Sequence, residues 1–175
     1  DAGSTTEALA ELLAARTAGN GAGTASGASA SGNADGTELV VITHALPIAA
    51  KLSGEAGIAL HLLGGKVRGL TQAAVGQSTV EAARRIRPDI AFIGTNGISA
   101  AFGLSTPDPE EAAVKAAFVQ SARRIVVLAD SSKLDAETLV QFASLKDLDT
   151  VITDTKPSPD LAEALADAGV EVVVA

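Results

Sequence analysis

Turns rich in hydroxyl and amide groups recur where short apolar runs of the chain begin or end. The opening residues Gly3, Ser4, Thr5 and Thr6 offer backbone N–H groups and three hydroxyls at the start of a predicted helix. The positive end of a helix dipole, together with its free amides, suits a phosphate. The same residue types are ordinary helix caps, so this turn alone supports a capping role equally well.

Two later turns have the same character. Gly94, Asn96 and Gly97 lie in a polar turn after an apolar run, where a backbone without bulky side chains can approach a ligand closely. Asp130 and Lys133 flank two serines after another apolar run, a mixture that suits sugar hydroxyls and a phosphate. The alternatives are a plain turn for the first segment and a solvated Asp–Lys pair for the second.

Three further polar side chains carry weaker signals. His44 directly follows an apolar run and is placed to donate to a ligand, whereas His61 lies inside such a run and is expected to pack. Lys115 lies four residues after Glu111 in a predicted helix, which favours an exposed ion pair. The histidines lack the spacing of a zinc site, and we expect neither a metal nor another cofactor.

These residues need a scaffold that brings the ends of apolar runs to one edge. Six β-branched runs predict strands at residues 39–43, 58–63, 90–93, 125–129, 150–153 and 170–174. Helical periodicity predicts helices at residues 4–15, 47–52, 78–87, 109–122, 136–145 and 159–168. Because the strands are apolar throughout, both faces should be covered. We expect an α/β domain with a mostly parallel sheet, helices on both faces and ligands at the carboxyl ends of the strands.

Composition narrows the class of protein further. A chain of 175 residues suits one compact domain, and 47% hydrophobic with only 2% aromatic residues predicts an aliphatic core. No apolar run approaches the about 20 residues that span a bilayer, so no membrane contact is expected. The absence of cysteine is compatible with the cytoplasm, where we place the protein. A net charge of -8 disfavours duplex DNA binding by this segment, since that affinity rests on Lys and Arg.

Three segments depart from the regular alternation. Residues 18–36 consist almost wholly of small and polar residues and predict a flexible low-complexity insertion. The glycine pair at 64–65 predicts a turn into an irregular edge element at residues 66–71. The chain opens with a loop that leads into a helix, and such a loop normally follows a strand. We expect that first strand to be missing, so that this single domain is cut from a longer protein.

Taken in order, these segments resemble the C-terminal sensor (effector-binding) domain of DeoR-family transcriptional repressors. The resemblance rests on residues 1–6, 41–43, 64–65 with Arg68 and Gly76, 89–98, 103–106, Glu111 with Lys115, 129–133 and 151–154. Each piece is short, but their order and spacing are specific and cover almost the whole chain outside the low-complexity segment. Where many members carry Thr-Asn-Ser after the second strand, this chain carries Thr43, His44 and Ala45.

The resemblance implies a Rossmann-like fold related to ribose-5-phosphate isomerase and CoA transferases. It implies a phosphorylated sugar as effector, with the phosphate on residues 3–6 and with Lys115 and Lys133 nearby. The residues that it places against the sugar are Asp1, Asn96, Gly97 and Asp130. Full-length members begin with a winged helix-turn-helix, so DNA binding is expected from an upstream part. Such repressors usually form homo-oligomers.

Three functions stay open at this point. The favoured one is a sensor, not an enzyme, whose effector modulates the DNA binding of the upstream part. The second is an aldose–ketose isomerase of the same fold, which needs a carboxylate base such as Asp89, Glu111 or Asp130. Residues 95–97 are Thr-Asn-Gly, however, where the isomerases carry an acidic cluster. The third is an oligomerisation domain with a vestigial pocket.

Overall fold

The computed structural model of the protein describes residues 1–20 and 39–175. The first part of the chain forms α1 (Ser4–Asn20), β1 (Leu39–Thr43), α2 (Leu46–Leu52), β2 (Ile58–Leu62), β3 (Lys66–Arg68), β4 (Ala73–Val75) and α3 (Gln77–Arg84). The second part forms β5 (Ala91–Gly94), β6 (Gly97–Ser99), β7 (Gly103–Thr106), α4 (Pro109–Ser121), β8 (Ile125–Leu128), β9 (Val140–Ala143), β10 (Thr150–Thr153), α5 (Pro159–Asp167) and β11 (Glu171–Val174). Short 3-10 helices lie at Ser131–Lys133 and Leu145–Asp147.

The strands that the sequence predicts pair with one another in parallel. Strands β5, β8, β10 and β11 form one parallel sheet in the order β11-β10-β8-β5, and β1 pairs in parallel with β2. Two smaller antiparallel sheets consist of β3 with β4 and of β6, β7 and β9. The predicted α/β fold with a mostly parallel sheet is confirmed, and all six predicted strands lie within two residues of their expected bounds.

Two aliphatic clusters make up the core. In the larger cluster, Val127 and Val151 of the two central strands are fully buried, together with side chains from α3, α4 and α5. The smaller cluster packs α1 and α2 beside β1 and β2, with Ala10, Ile48 and Leu52 buried. Since aromatic side chains are scarce, close packing of Val, Leu, Ile and Ala supplies most of the buried apolar area.

Helix starts follow from local side-chain chemistry. The Asp108 carboxylate accepts from the amide of Glu111 at 2.9 Å, directly before Pro109 in the first turn of α4. Ser158 caps α5 in the same way, and Gly169 ends it with a φ of 78°, the left-handed conformation that favours glycine. These caps explain why α4 and α5 begin where the sequence predicts them.

The predicted helix at residues 136–145 is wrong. Strand β9 occupies Val140–Ala143 and pairs antiparallel with β7, which buries Phe142 and Ala143 in the core. A 3-10 helix follows at Leu145–Asp147. Helix propensity is a weak preference of tenths of a kcal/mol per residue, and pairing with β7 overrides it. Strands β6 and β7 escaped prediction because each combines glycine and serine with a single large apolar residue, Ile98 or Leu104, and so forms no β-branched run.

Two other segments differ from their predicted form. The expected irregular edge element at residues 66–71 is a regular hairpin of β3 and β4, with Leu70 in its turn. Helix α1 continues to Asn20, so the first three residues of the predicted insertion are helical. The rest of the predicted insertion, residues 21–36, lies outside the described residues.

Replacing Leu104 with alanine tests the core. Leu104 in β7 is 0% exposed, so Leu104→Ala should lower the free energy of unfolding by about 2 to 5 kcal/mol through lost burial and a residual cavity. Leu70 is 83% exposed, and Leu70→Ala should cost less than about 0.5 kcal/mol. Urea denaturation measures both, and equal losses would contradict this packing.

Candidate functional site

The Asp1 carboxylate is the centre of a buried polar cluster at the carboxyl ends of β1 and β5. Its Oδ1 lies 3.1 Å from Nε2 of His44, the residue that directly follows β1. Its Oδ2 accepts from the amide of Gly94, the last residue of β5, at 2.8 Å and from the ammonium of Lys115. The Asp1 side chain is 0% exposed. Asp1 therefore ties together two strand ends and α4, and we call these four residues the Asp1 cluster.

The His44 imidazole is held at both nitrogens. Nδ1 lies 2.8 Å from the carbonyl oxygen of Ala74, and since a carbonyl only accepts, Nδ1 carries a proton. Nε2 faces an Asp1 oxygen, so a second proton lies between these two atoms. Burial lowers the pKa of His44 to about 3, and the hydrogen bond to the Ala74 carbonyl opposes that shift. With either placement of the shared proton, the contact is a hydrogen bond.

Lys115 is buried, contrary to the exposed position that its spacing from Glu111 predicted. Its Nζ donates to Asp1 and, at 2.9 Å, to the carbonyl of Gly94, and it lies 5.7 Å from the centre of the Phe142 ring. Burial lowers the pKa of Lys115 to about 8, while the Glu111 carboxylate raises it. The prediction of an exposed ion pair is wrong because this face of α4 packs against the strands.

A second polar network joins the β3–β4 hairpin to the start of α4. Arg68 donates to Asp108 at 3.0 Å and to Glu111 at 3.2 Å, and the Thr71 hydroxyl also donates to Glu111. Because the amide of Glu111 hydrogen-bonds to Asp108, the pKa of the Asp108 carboxyl lies below its usual range. The hairpin thus fixes the helix that carries Lys115. Residue types and spacing gave no signal for these contacts, which span about 40 positions.

The turn at residues 3–6 is the start of α1. Gly3 has a φ of 136°, and its carbonyl accepts from the hydroxyl of Thr6 and from the amide of Glu7. Ser4 and Thr5 are exposed. The amides of residues 4–6 donate to no other described residue, as expected for the first turn of a helix. The first turn of α1, which begins three residues after the buried Asp1, thus presents three amides and two exposed hydroxyls.

The turn after β5 serves mainly local structure. Asn96 is exposed, and its side-chain oxygen accepts from the Thr106 hydroxyl at 2.9 Å. A Cβ atom on Gly97 would lie 2.4 Å from the carbonyl oxygen of Ala136. Close backbone packing therefore accounts for glycine at position 97 without a ligand.

Asp130 and Lys133 bracket the 3-10 helix after β8. Asp130 accepts from the amide and hydroxyl of Ser132, which keep the pKa of its carboxyl below the usual range. The amide and hydroxyl of Ser131 both donate to Asp154, which follows β10. Lys133 is half-buried, and its ammonium forms no hydrogen bond or ion pair with another described residue. Asp130 is thus a cap here, and Lys133 is a cation without a direct partner among the described residues.

The structure brings the predicted site residues together in two groups. The Asp1 cluster forms direct contacts, and Gly3 to Thr6 adjoin it in the chain. The second group, Asp130 and Lys133, follows β8, which lies beside β5 with Leu128 next to Gly94. No contact or shared cavity among the described residues joins Lys133 to the turn at 3–6. A cavity of 570 Å³ between β1 and β5 includes Asp1 and Thr6 in its walls but not Lys133.

Two negative observations apply to residues 1–20 and 39–175. Within these ranges, no three His, Asp or Glu side chains are grouped in a way that could hold a metal ion. None of the helices in the described part of the chain combines the length and the apolar character that a membrane span requires.

The sequence matches the family of DeoR C terminal sensor domains over residues 1–155. The chain therefore belongs to this family, and the resemblance drawn from its motifs is confirmed. The match ends shortly after β10 and includes every residue of the candidate site.

Curated relatives of this domain are transcriptional regulators and repressors. The HTH-type transcriptional regulator GlpR of Haloferax volcanii is 38% identical over 139 residues, which cover 79% of this chain and 54% of that protein. The HTH-type transcriptional repressor GlcR of Bacillus subtilis is 34% identical over 140 residues, 80% of this chain and 54% of that protein. The glycerol-3-phosphate regulon repressor of Escherichia coli is 26% identical over 131 residues, 75% of this chain and 52% of that protein. The matches thus span about half the length of these relatives.

Removing the ammonium of Lys115 tests the Asp1 cluster. Lys115→Met leaves the Asp1 carboxylate buried without its cation and should lower the free energy of unfolding by about 3 to 5 kcal/mol. Lys66→Met is the matched control, since Lys66 pairs with Glu110 on the surface and its side chain is 70% exposed. That variant should lose no more than about 1 kcal/mol. Chemical denaturation near neutral pH compares them, and losses of equal size would contradict the buried pair.

Replacing Gly97 with alanine separates packing from ligand contact. The new methyl group would meet the Ala136 carbonyl, so Gly97→Ala should lower the free energy of unfolding by about 1 to 3 kcal/mol without any ligand. Gly64→Ala is the control, because a Cβ atom at position 64 would meet no described residue within 4 Å apart from its chain neighbours. Thermal unfolding of both variants checks this, and an unchanged melting temperature for Gly97→Ala would refute the packing explanation.

Proposed function

We propose that this chain is the effector-binding domain of a transcriptional repressor of sugar metabolism and that it binds a phosphorylated sugar. The observation that carries the proposal is the Asp1 cluster, which anchors the first turn of α1 at the carboxyl ends of β1 and β5. That turn presents three amides that have no partner among the described residues and the exposed hydroxyls of Ser4 and Thr5, the groups that hold a phosphate at a helix start.

The topology supports a ligand at this position. The gap between β1 and β5 separates two groups of strands. Strand β2 lies beyond β1 on one side, and β8, β10 and β11 lie beyond β5 on the other. In open α/β sheets, ligands bind beyond the carboxyl ends of the strands where the strand order reverses. The turn at residues 3–6 lies at that point, and the turns after β5 and β8 adjoin it.

Roles follow for the proposed site residues. The amides and hydroxyls of residues 3–6 bind the phosphate, and Lys133 is the cation on the adjoining turn. Asn96, Gly97 and Asp130 lie on the turns that face the sugar. The other members of the set, Asp1, His44, Gly94 and Lys115, are mutually hydrogen-bonded and act by holding the first turn of α1 in place.

The names of the relatives support a regulatory role. One of them is a glycerol-3-phosphate regulon repressor, which is named for a small phosphate ester. An effector acts on such a protein by binding two arrangements of its domains with different affinity. We assign DNA binding to a part outside this chain, because the chain has a net charge of -8 and spans about half the length of its relatives. Assembly as a homo-oligomer in the cytoplasm belongs to the same proposal.

The carboxylates considered for an isomerase are engaged elsewhere. Glu111 binds Arg68 and Thr71, and Asp130 caps a 3-10 helix. Asp89 precedes β5 at the amino end of the sheet, where its side chain is 92% exposed. No observation favours one of them as a base over a substrate. The expectation that the chain is not an enzyme agrees with the names of the relatives above, each a transcriptional regulator or repressor.

A thermal-shift titration tests ligand binding. Phosphorylated hexoses, ketohexoses, pentoses and glycerol phosphate are compared with the corresponding compounds that lack the phosphate. A phosphate ester that binds only the folded state should raise the melting temperature by about 5 to 10 °C at about 100 times its Kd. The unphosphorylated compounds should have no effect, since they lack the group that the amides recognise.

Matched lysine variants locate the site. Lys133→Met should weaken the shift in melting temperature, whereas Lys146→Met should preserve it. Lys146 lies just before β10, at the amino ends of the strands and therefore opposite the proposed site. Equal shifts with sugars and their phosphates would contradict phosphate recognition. No shift with any compound would favour the vestigial pocket, and turnover of one of them would favour the isomerase.

A further inference from the structure

Five arginines gather at the amino ends of β5 and β8. They are Arg84, Arg85, Arg87, Arg123 and Arg124, which follow or end α3 and α4. These are five of the 13 lysines and arginines in a chain whose net charge is -8. The two segments adjoin each other, since the amide of Arg123 donates to the carbonyl of Pro88 at 3.0 Å. This edge of the sheet therefore has a positive local field in an acidic protein.

A cavity of 210 Å³ lies among these arginines. Arg84 and Arg87 form one wall, and Ala117, Gln120 and Ser121 from the C-terminal part of α4 form the other. Arg84, Arg87 and Gln120 are exposed, so the cavity opens to solvent. Guanidinium and carboxamide groups are hydrogen-bond donors, and the planar fork of a guanidinium matches the oxygens of a phosphate or carboxylate.

Structural contacts account for only part of this arginine cluster. Arg87 donates to the carbonyl of Ser121 at 3.2 Å, and a cation at that position stabilises the end of α4. Arg123 and Arg124 approach surface carboxylates at 3.6 and 3.7 Å. Arg84 forms no hydrogen bond or ion pair with any described residue, although it lines the cavity. Its guanidinium is therefore free to bind a ligand there.

The local charge and the size of the cavity define the class of ligand. The C-terminal ends of α3 and α4 contribute about half a negative charge each, which opposes an anion. Five guanidinium groups exceed that contribution, even when the carboxylates of Asp89 and Glu171 beside Arg123 and Arg124 are included. Sites for drug-sized ligands have volumes of about 300 to 1,000 Å³, so a cavity of 210 Å³ suits a smaller compound.

We propose that this cavity binds a small oxyanion, a compound that carries a phosphate or carboxylate group. Arg84 donates to two of its oxygens, Arg87 supplies a second positive charge, and the Gln120 carboxamide adds a neutral donor.

This second site is separate from the proposed effector site. Residues 84–87 precede β5 and residues 123–124 precede β8, at the amino ends of the two strands. The proposed effector site lies beyond the carboxyl ends of the same sheet. The anion site therefore does not depend on the proposed effector, and both sites can be occupied together.

An anion titration followed by NMR tests the proposal. Inorganic phosphate and, separately, acetate are added to nitrogen-15-labelled protein near neutral pH, with chloride used to keep the ionic strength constant. The Nε–H signals of Arg84 and Arg87 and the side-chain amide of Gln120 should shift and saturate with at least one of the two anions. Two charge-assisted hydrogen bonds correspond to a Kd of about 1 mM.

Arginine variants locate the site. Arg84→Gln removes a side chain without a direct partner among the described residues, so the protein should still fold, and anion binding should weaken about 10-fold or more. Arg123→Gln is the matched control, because it removes the same charge from the same edge but outside the cavity, and it should weaken binding less than about 3-fold. Arg84→Lys keeps the charge without the planar fork and should fall between them.

Several outcomes would overturn the proposal. Shifts that stay linear with anion concentration, or equal weakening by Arg84→Gln and Arg123→Gln, would indicate a diffuse ionic response. Saturation only at the amides of residues 4–6 would contradict this site and support the proposed effector site, whereas saturation at the arginines alone would support this site and not the other. A response to a short polyglutamate peptide but to neither small anion would replace the cavity site with a surface for an acidic protein.

Discussion

The carboxylate of Asp1 is buried, and a charge in that position is tolerated only with close partners. An isolated buried carboxylate costs several kcal/mol, so the contacts from His44, Gly94 and Lys115 are a condition for this arrangement. The partners come from three places in the fold, which are the end of β1, the end of β5 and the middle of α4. The contacts of this one carboxylate therefore set how these elements meet, and the first turn of α1 begins three residues further along the chain.

The β3–β4 hairpin supports this contact from outside. Its Ala74 carbonyl accepts from the His44 ring and fixes which nitrogen faces Asp1. Its Arg68 and Thr71 bind Glu111, one helical turn before Lys115. Buried ion pairs of this kind often add little net stability compared with apolar residues, whereas removal of one partner alone is strongly destabilising. The hairpin thus restricts the imidazole and the ammonium together, although neither belongs to it.

The sequence predicts the parallel strands and capped helices well because these depend on short-range patterns. The β-branched runs at β8 and β10 and the Asp108-Pro109 start of α4 are examples. The predictions that are wrong concern segments whose structure depends on long-range contacts. Periodicity alone did not indicate that the face of α4 bearing Lys115 is buried, and β9 became a strand only through pairing with β7. The partners of Asp1 lie 43, 93 and 114 positions away, and only the family resemblance placed some of these residues near one ligand.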